Sequence, residues 1–453
     1  MKPAYPTFHP TRLAMLLGVI LLPLLNGCAG SAKVAETQRY AFWPAYPDEP
    51  HIQYLTSFEK ASDVTPAKSQ MDELIYGREQ QKDLPISKPY GIDMADGKIY
   101  VCDLRNDCVT ILDLRHNQTL VMGATGTERL HNPCDIAITP DRYKYVADLG
   151  REAVVVFDPQ DRFVTAFVIK DLKPTSLAVR NNELYVCDFN GQNVLVLDRR
   201  DGHLLRKIGE PGPKPGQFVR PLGVDVDPQG NVYVVDVMQC RLSKFDPSGK
   251  LVSTIGTISN NVGGLVRPKH IAVDREGILF VVDASFQNVQ LFNEVGQVYT
   301  FFGGDGNHPG AMYLPAGIAI HEGDFDLFQR YIHPAFEVER LILVTNQFGS
   351  HKVAVYAYGH LKPGKTVADI ASSKGVVPIE NAPATPVPGK PAPLPSDAVA
   401  PGSTPGSTPG SAPGSAPGNV PAPGSVSPGI PDGKAVESAP VNPPADTTAP
   451  SDK

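Results

Sequence analysis

Six cysteines in 453 residues form no C-x-x-C pair, which leaves no c-type haem attachment and no zinc framework. H-E-x-x-H is missing too, and with it a common helix-borne zinc hydrolase motif. There is no cationic excess. The 41 Lys and Arg against 48 Asp and Glu leave a formal net charge of −7, the wrong balance for a nucleic-acid footprint. No apolar run spans a bilayer comfortably: residues 13–25 make one of about a dozen. Tryptophan occurs once, as Trp43.

What the chain does have is a repeat. A proline opens each copy: Pro89 (P-Y-G-I), Pro133 (P-C-D-I), Pro174 (P-T-S-L), Pro221 (P-L-G-V), Pro268 (P-K-H-I) and Pro315 (P-A-G-I). A second β-rich run follows in step and ends on Asp103, Asp148, Asp188, Asp236, Asp283 or Asn346. Third runs read V-T-I-L, V-V-V-F, V-L-V-L, L-S-K-F, V-Q-L-F and V-A-V-Y. Turn chemistry such as Pro228-Gln229-Gly230-Asn231 and Asp246-Pro247-Ser248-Gly249 separates the runs. Each copy is a four-stranded antiparallel meander of roughly 45 residues, the size of a propeller blade.

Five of the third runs are followed by an outer strand, but after residues 353–358 the chain turns to Gly and Pro. Residues 52–58, I-Q-Y-L-T-S-F, can supply the sixth outer strand and close the ring. Blade six also carries an insertion, residues 322–340, rich in aromatics. It reads as a lid packed on its own blade or as a loop that docks a partner.

The pattern P-x-G-I-A-V, turn, I-Y-V-A-D, then F and G resembles the NHL repeat, and the link from Gly209 to Pro221 resembles that family's inter-blade loop. The resemblance covers about residues 85–360. It implies an all-β fold, a six-bladed β-propeller of four-stranded antiparallel blades. Trp43-Pro-x-x-Pro followed by residues 52–58 resembles the start of bacterial NHL-type lipoproteins.

Lys2 and Arg12, the apolar run and Leu25-Asn26-Gly27-Cys28 read as a lipoprotein signal peptide, residues 1–27, with lipid on Cys28. Its loss takes away two cations and no acid, so the mature charge is −9. Ala29 instead of Asp resembles the outer-membrane sorting class. Residues 28–50 then form a spacer, and residues 59–84 are linker-like apart from a short helical candidate at 70–76. Residues 51–362 form the propeller. The Pro/Gly/Ser/Ala-rich residues 363–453 form a disordered tail.

Candidate chemistry lies at the axis. Two positions after the opening proline come Gly91, Asp135, Ser176, Gly223, His270 and Gly317. Four after it come Asp93, Ala137, Ala178, Asp225, Ala272 and Ala319. Asp135 with His270, and Asp93 with Asp225, lie three blades apart and face across a six-membered ring. They would suit a divalent cation, as in lactonase-type propellers, or they bond backbone and channel water. The repeated strand-two Asp reads as structural, holding the following turn.

Arg105, Arg151, Asn190, Arg241, Asn288, His351 and Lys352 sit on loops of one face, the candidate binding surface. Cys102 and Cys187 read as small buried side chains. Cys108 and Cys134 could bridge in an oxidising envelope.

The expected function is a lipid-anchored envelope protein that binds or scaffolds through a propeller face. Its partners are the membrane and envelope proteins, with no nucleic acid and no haem. The alternative is a metal-dependent hydrolase, lactonase or lyase acting at the channel. No cofactor is expected beyond that cation.

Overall fold

The computed structural model describes residues 39–65, 85–259, 261–377 and 379. The signal segment, Cys28, residues 28–38 of the spacer, the helix expected at 70–76, residue 378 and the tail from 380 lie outside the described residues.

All six prolines open an inner strand: Pro89–Ala95, Pro133–Ile138, Pro174–Arg180, Pro221–Val226, Pro268–Val273 and Pro315–His321. Each begins an antiparallel sheet, in chain order in blades one to five. In blade one the second and third strands, Lys98–Asp103 and Cys108–Asp113, are buried almost throughout, whereas the outer strand Gln118–Met122 is mostly exposed. Neighbouring blades cover both faces of the middle strands, so these read as continuous Val, Ile and Leu runs without alternation. The core accordingly lies between blades: Val196 and Phe218 pack with Val224 and Val234, and Val235 and Leu242 with Ile271 and Val281. The inner strands neighbour one another in order, and that of blade six lies beside that of blade one.

Crowding at the axis dictates glycine at two of the opening motifs. A Cβ on Gly317 would lie 2.1 Å from the Tyr90 carbonyl oxygen, and one on Gly91 2.4 Å from Asp135 Cα.

The aspartate ending strand two staples two segments. Asp236 accepts the amides of Val219 at 2.7 Å and Arg220 at 3.1 Å from the incoming link, and those of Met238 at 2.9 Å and Gln239 at 3.0 Å from the next turn. Asp103 and Asp283 bond the same two segments of their blades. Asn346 takes the Tyr313 amide and donates to the His351 carbonyl. The staple thus reaches backward as well as forward, further than the sequence reading placed it.

Ring closure follows the expected route. Ile52–Phe58 pairs antiparallel with Val353–Leu361, Ile52 opposite Tyr358 and Phe58 opposite Val353. A further strand, Ala41–Trp43, pairs outside it, so blade six has five strands. The spacer is therefore partly sheet. Tyr40 exchanges 2.8 Å backbone bonds with Gly375 and Val377, and the helix Val367–Ala371 buries Ile370. Residues 363–377, assigned to the tail, thus include a short segment that pairs with Tyr40 just before Ala41–Trp43. Trp43 is buried against Phe302 and Tyr356 at the seam of blades five and six.

The insertion is a packed element. Phe325–Tyr331 forms a 3-10 helix with Phe328 buried, and the remainder lengthens strand two to Phe336–Asn346. It clasps the closing strand. Gln53, fully buried, donates to the Tyr331 carbonyl at 2.8 Å and accepts the His333 amide at 3.0 Å.

The five described cysteines are free thiols, so the Cys108–Cys134 bridge does not form. The Cys134 thiol instead donates to the Pro174 carbonyl at 2.9 Å. Cys102 and Cys187 are fully buried, as small strand side chains should be.

Gln53→Ala leaves two buried backbone groups unpaired at about 1–3 kcal/mol each. We expect about 2–4 kcal/mol lower stability, read as a fall in urea midpoint at unchanged slope.

Candidate functional site at the propeller axis

An inner strand is a sheet edge, and its free amides point toward the axis and the preceding blade. Four of them are met by side chains from that blade, in two tiers. Residues two after the proline serve one tier: Asp135 accepts the Leu177 amide at 2.8 Å, and Ser176 accepts that of Val224 at 3.2 Å. Residues four after it serve the other: Asp93 accepts the Ile138 amide at 2.8 Å, and Asp225 that of Val273 at 2.7 Å. Between blades six and one, Thr345 Oγ1 accepts the Gly317 amide and donates to the Tyr90 carbonyl.

One expected cross-channel pair meets directly. His270 Nε2 lies 3.1 Å from Asp135 Oδ2 and 3.2 Å from Ser176 Oγ. Composition alone would suggest a catalytic triad, but geometry does not. A triad uses one ring nitrogen for the serine and the other for the carboxylate, whereas here both partners meet Nε2. Nδ1 is buried with no hydrogen-bond partner among the described residues. Burial opposes charge on the imidazole, but Asp135, with help from Asp225, outweighs it and raises the His270 pKa above its usual value.

Asp93, Asp225, Asp135 and His270 all line a cavity of about 190 Å³ in the half of the channel toward the turns between strands one and two. It has room for several waters. Burial pushes Asp93 up to about 7 and Asp225 to about 6, against two amide bonds each that pull the other way. Among the described residues no three His, Cys, Asp or Glu side chains are arranged to hold a metal ion. The four expected ligands therefore do not form one set, because each carboxylate is turned sideways onto a neighbouring blade's amide.

The loop residues of the candidate binding face lie at the channel's other end, and most brace that end. Arg151 donates to the Thr127 and Arg129 carbonyls, Arg241 to that of Lys214 at 2.6 Å, and Asn190 to that of Asp171 at 3.1 Å. His351 Nδ1 lies 2.7 Å from Ser57 Oγ on the closing strand, and Lys352 donates to the Ser87 and Gln347 carbonyls. Asn288 is half-buried, and Arg105 is exposed. The sequence reading missed Lys269, buried one residue after an opening proline. A charged residue in the otherwise apolar or small position of P-K-H-I was the available signal.

Asp93 and Asp225 keep their protons to higher pH in the fold than in the unfolded chain. The native state therefore binds more protons between about pH 4 and the raised values, and stability falls as pH rises. His270, also raised, acts in the same direction at higher pH. Asp225→Asn should lose less stability than the parent between about pH 4 and pH 7, measured as urea midpoints across that range.

No curated protein sequence matches the chain. Among solved structures it resembles a streptogramin B lyase at 14% identity and TM-score 0.43, covering 60% of this chain and 83% of that one. A protein of unknown function from Bacteroides thetaiotaomicron is 13% identical with TM-score 0.48, covering 67% and 75%. A chain of a nidogen/laminin complex is 14% identical with TM-score 0.42, covering 56% and 92%. None of these distant likenesses assigns an activity. Residues 166–259 match the model of the DUF5128 family, described as a 6-bladed beta-propeller, and the chain is an all-β, six-bladed propeller of antiparallel blades.

Proposed function

We propose that this is a lipid-anchored binding or scaffold protein of the bacterial outer membrane. Cys28 carries the lipid, and an NHL-type propeller presents its loop-bearing face to an envelope protein or ligand. One observation carries the choice of binding over catalysis: the axial carboxylates and Ser176 bond the amides of adjacent blades. That is scaffold chemistry. The anchor rests on Leu25-Asn26-Gly27-Cys28 after a short apolar run. Neither nucleic acid nor haem has a motif or charge pattern to receive it.

A metal-dependent hydrolase or lyase is the second reading, favoured by the axial cavity with its raised carboxylates and its imidazole.

Cells fed an alkyne-tagged fatty acid should label the parent chain and leave Cys28→Ser unlabelled. An unlabelled parent removes the anchor. Elemental analysis of the purified chain should find no stoichiometric divalent metal. One ion per chain, lost in Asp135→Ala or Asp225→Ala, would establish the second reading instead.

A further inference from the structure

The residue before each opening proline occupies one equivalent place around the ring, on the loop-bearing face. Its carbonyl accepts the amide that follows the strand-two aspartate: Leu104 to Lys88 at 3.0 Å, Phe189 to Lys173 at 3.0 Å, Val237 to Arg220 at 3.1 Å, and Ala284 to Arg267 at 3.0 Å. Four of the six blades thus place a cation at the rim of the channel mouth; blades two and six have Asn132 and Leu314. Lys173 is paired with Glu152 at 2.7 Å. Lys88, Arg220 and Arg267 are exposed, with no carboxylate within ion-pair distance among the described residues.

Lys269 lies just inside that rim. It is 5% exposed, and its ammonium finds no carboxylate among the described residues. Its contacts are Gln347 Oε1 at 3.4 Å and the face of Tyr90, 5.7 Å from the ring centroid. Lys352 Nζ converges on the same Gln347, through its carbonyl at 2.8 Å. Burial, with the nearby charges of Arg267 and Lys88, lowers the Lys269 pKa to about 8. A buried ammonium without a counter-charge is costly. Elsewhere in this chain buried cations are paired: Arg340 with Asp274, and Lys144 with Asp161 at 2.6 Å.

We propose that the channel mouth on the loop-bearing face is an anion site, in which a small carboxylate- or phosphate-bearing ligand supplies the counter-charge that Lys269 lacks. Lys269 receives the anionic group beside Gln347, and Lys88, Arg267 and Lys352 attract it. This rests on the reading that the loop-bearing face binds a partner. The fatty-acid label reports only on Cys28, so the two can fail separately.

The test is calorimetry on the full chain in detergent at low ionic strength, with inorganic phosphate and with succinate as probes and glycerol as the neutral control. Saturable one-site binding of either anion, and none of glycerol, is expected. Lys269→Met should weaken it at least about tenfold, the scale of one charged hydrogen bond, and Lys269→Arg should retain most of it. The exposed pair Lys88→Gln with Arg267→Gln is expected to fold and to lose about two- to fivefold, in line with solvent-exposed charges. Binding of one anion but not the other names the chemical class. No saturable binding of either, or binding that both sets of substitutions leave unchanged, overturns the proposal.

Discussion

Each four-stranded blade has an edge at the axis, and the amides on that edge cannot be left unpaired. The chain meets this constraint with short acceptors on the preceding blade: Asp93, Asp135, Ser176 and Asp225 each take the amide of an adjacent inner strand. These bonds fix the spacing and rotation of one blade against the next. They also determine what the axis can do chemically. A carboxylate whose oxygens face sideways onto amides is poorly placed to hold a cation or attack a substrate. The ring is built at the expense of its centre.

A ring also needs a seam, and here every device converges on blade six. The closing strand is flanked by Ala41–Trp43, and Gly375 and Val377 bond to Tyr40 just before it. Gln53 ties that strand to the insertion, and His351 ties it to the loop after strand two. Arg340, from the lengthened second strand, reaches Asp274 and Glu276 of blade five and lies over Tyr358, 4.6 Å from the ring centroid. Blade six is therefore a layered clasp. Phe328 and Phe336 of the insertion belong to its core, whereas Phe325, Leu327 and Tyr331 are only partly buried against it.

Much of this was legible in the sequence because the ring repeats. Six opening prolines in step with six strand-two polar residues set blade number, strand order and the two tiers of axial positions, and even the pairing of Asp135 with His270 follows from counting three blades. What resisted reading was whatever breaks the repeat. Ala41–Trp43 has no counterpart in another blade, and three residues carry too little pattern to be recognised as a strand. The insertion offered aromatics, but only packing decides whether aromatics are covered. Asp135 and Asp225 were recognisable as axial; that each turns sideways to an amide depends on blade separation, which no single blade encodes. The loop arginines looked available for the same reason: their carbonyl acceptors come from distant links.

The two ends of the channel then divide the remaining polar chemistry between them. Toward the turns of strands one and two lies a cavity whose carboxylates are raised by burial, while the cross-channel contact of His270 with Asp135 already satisfies part of its charge. Toward the loops lies the opposite condition, with Lys269 buried beside a neutral amide and exposed cations on the rim around it. In a chain of net charge −7, a local surplus of positive charge is conspicuous, because the global field does not require it. A buried cation without a counter-charge is costly to the fold. That cost is the reason the proposed anion is placed at the mouth and not in the cavity.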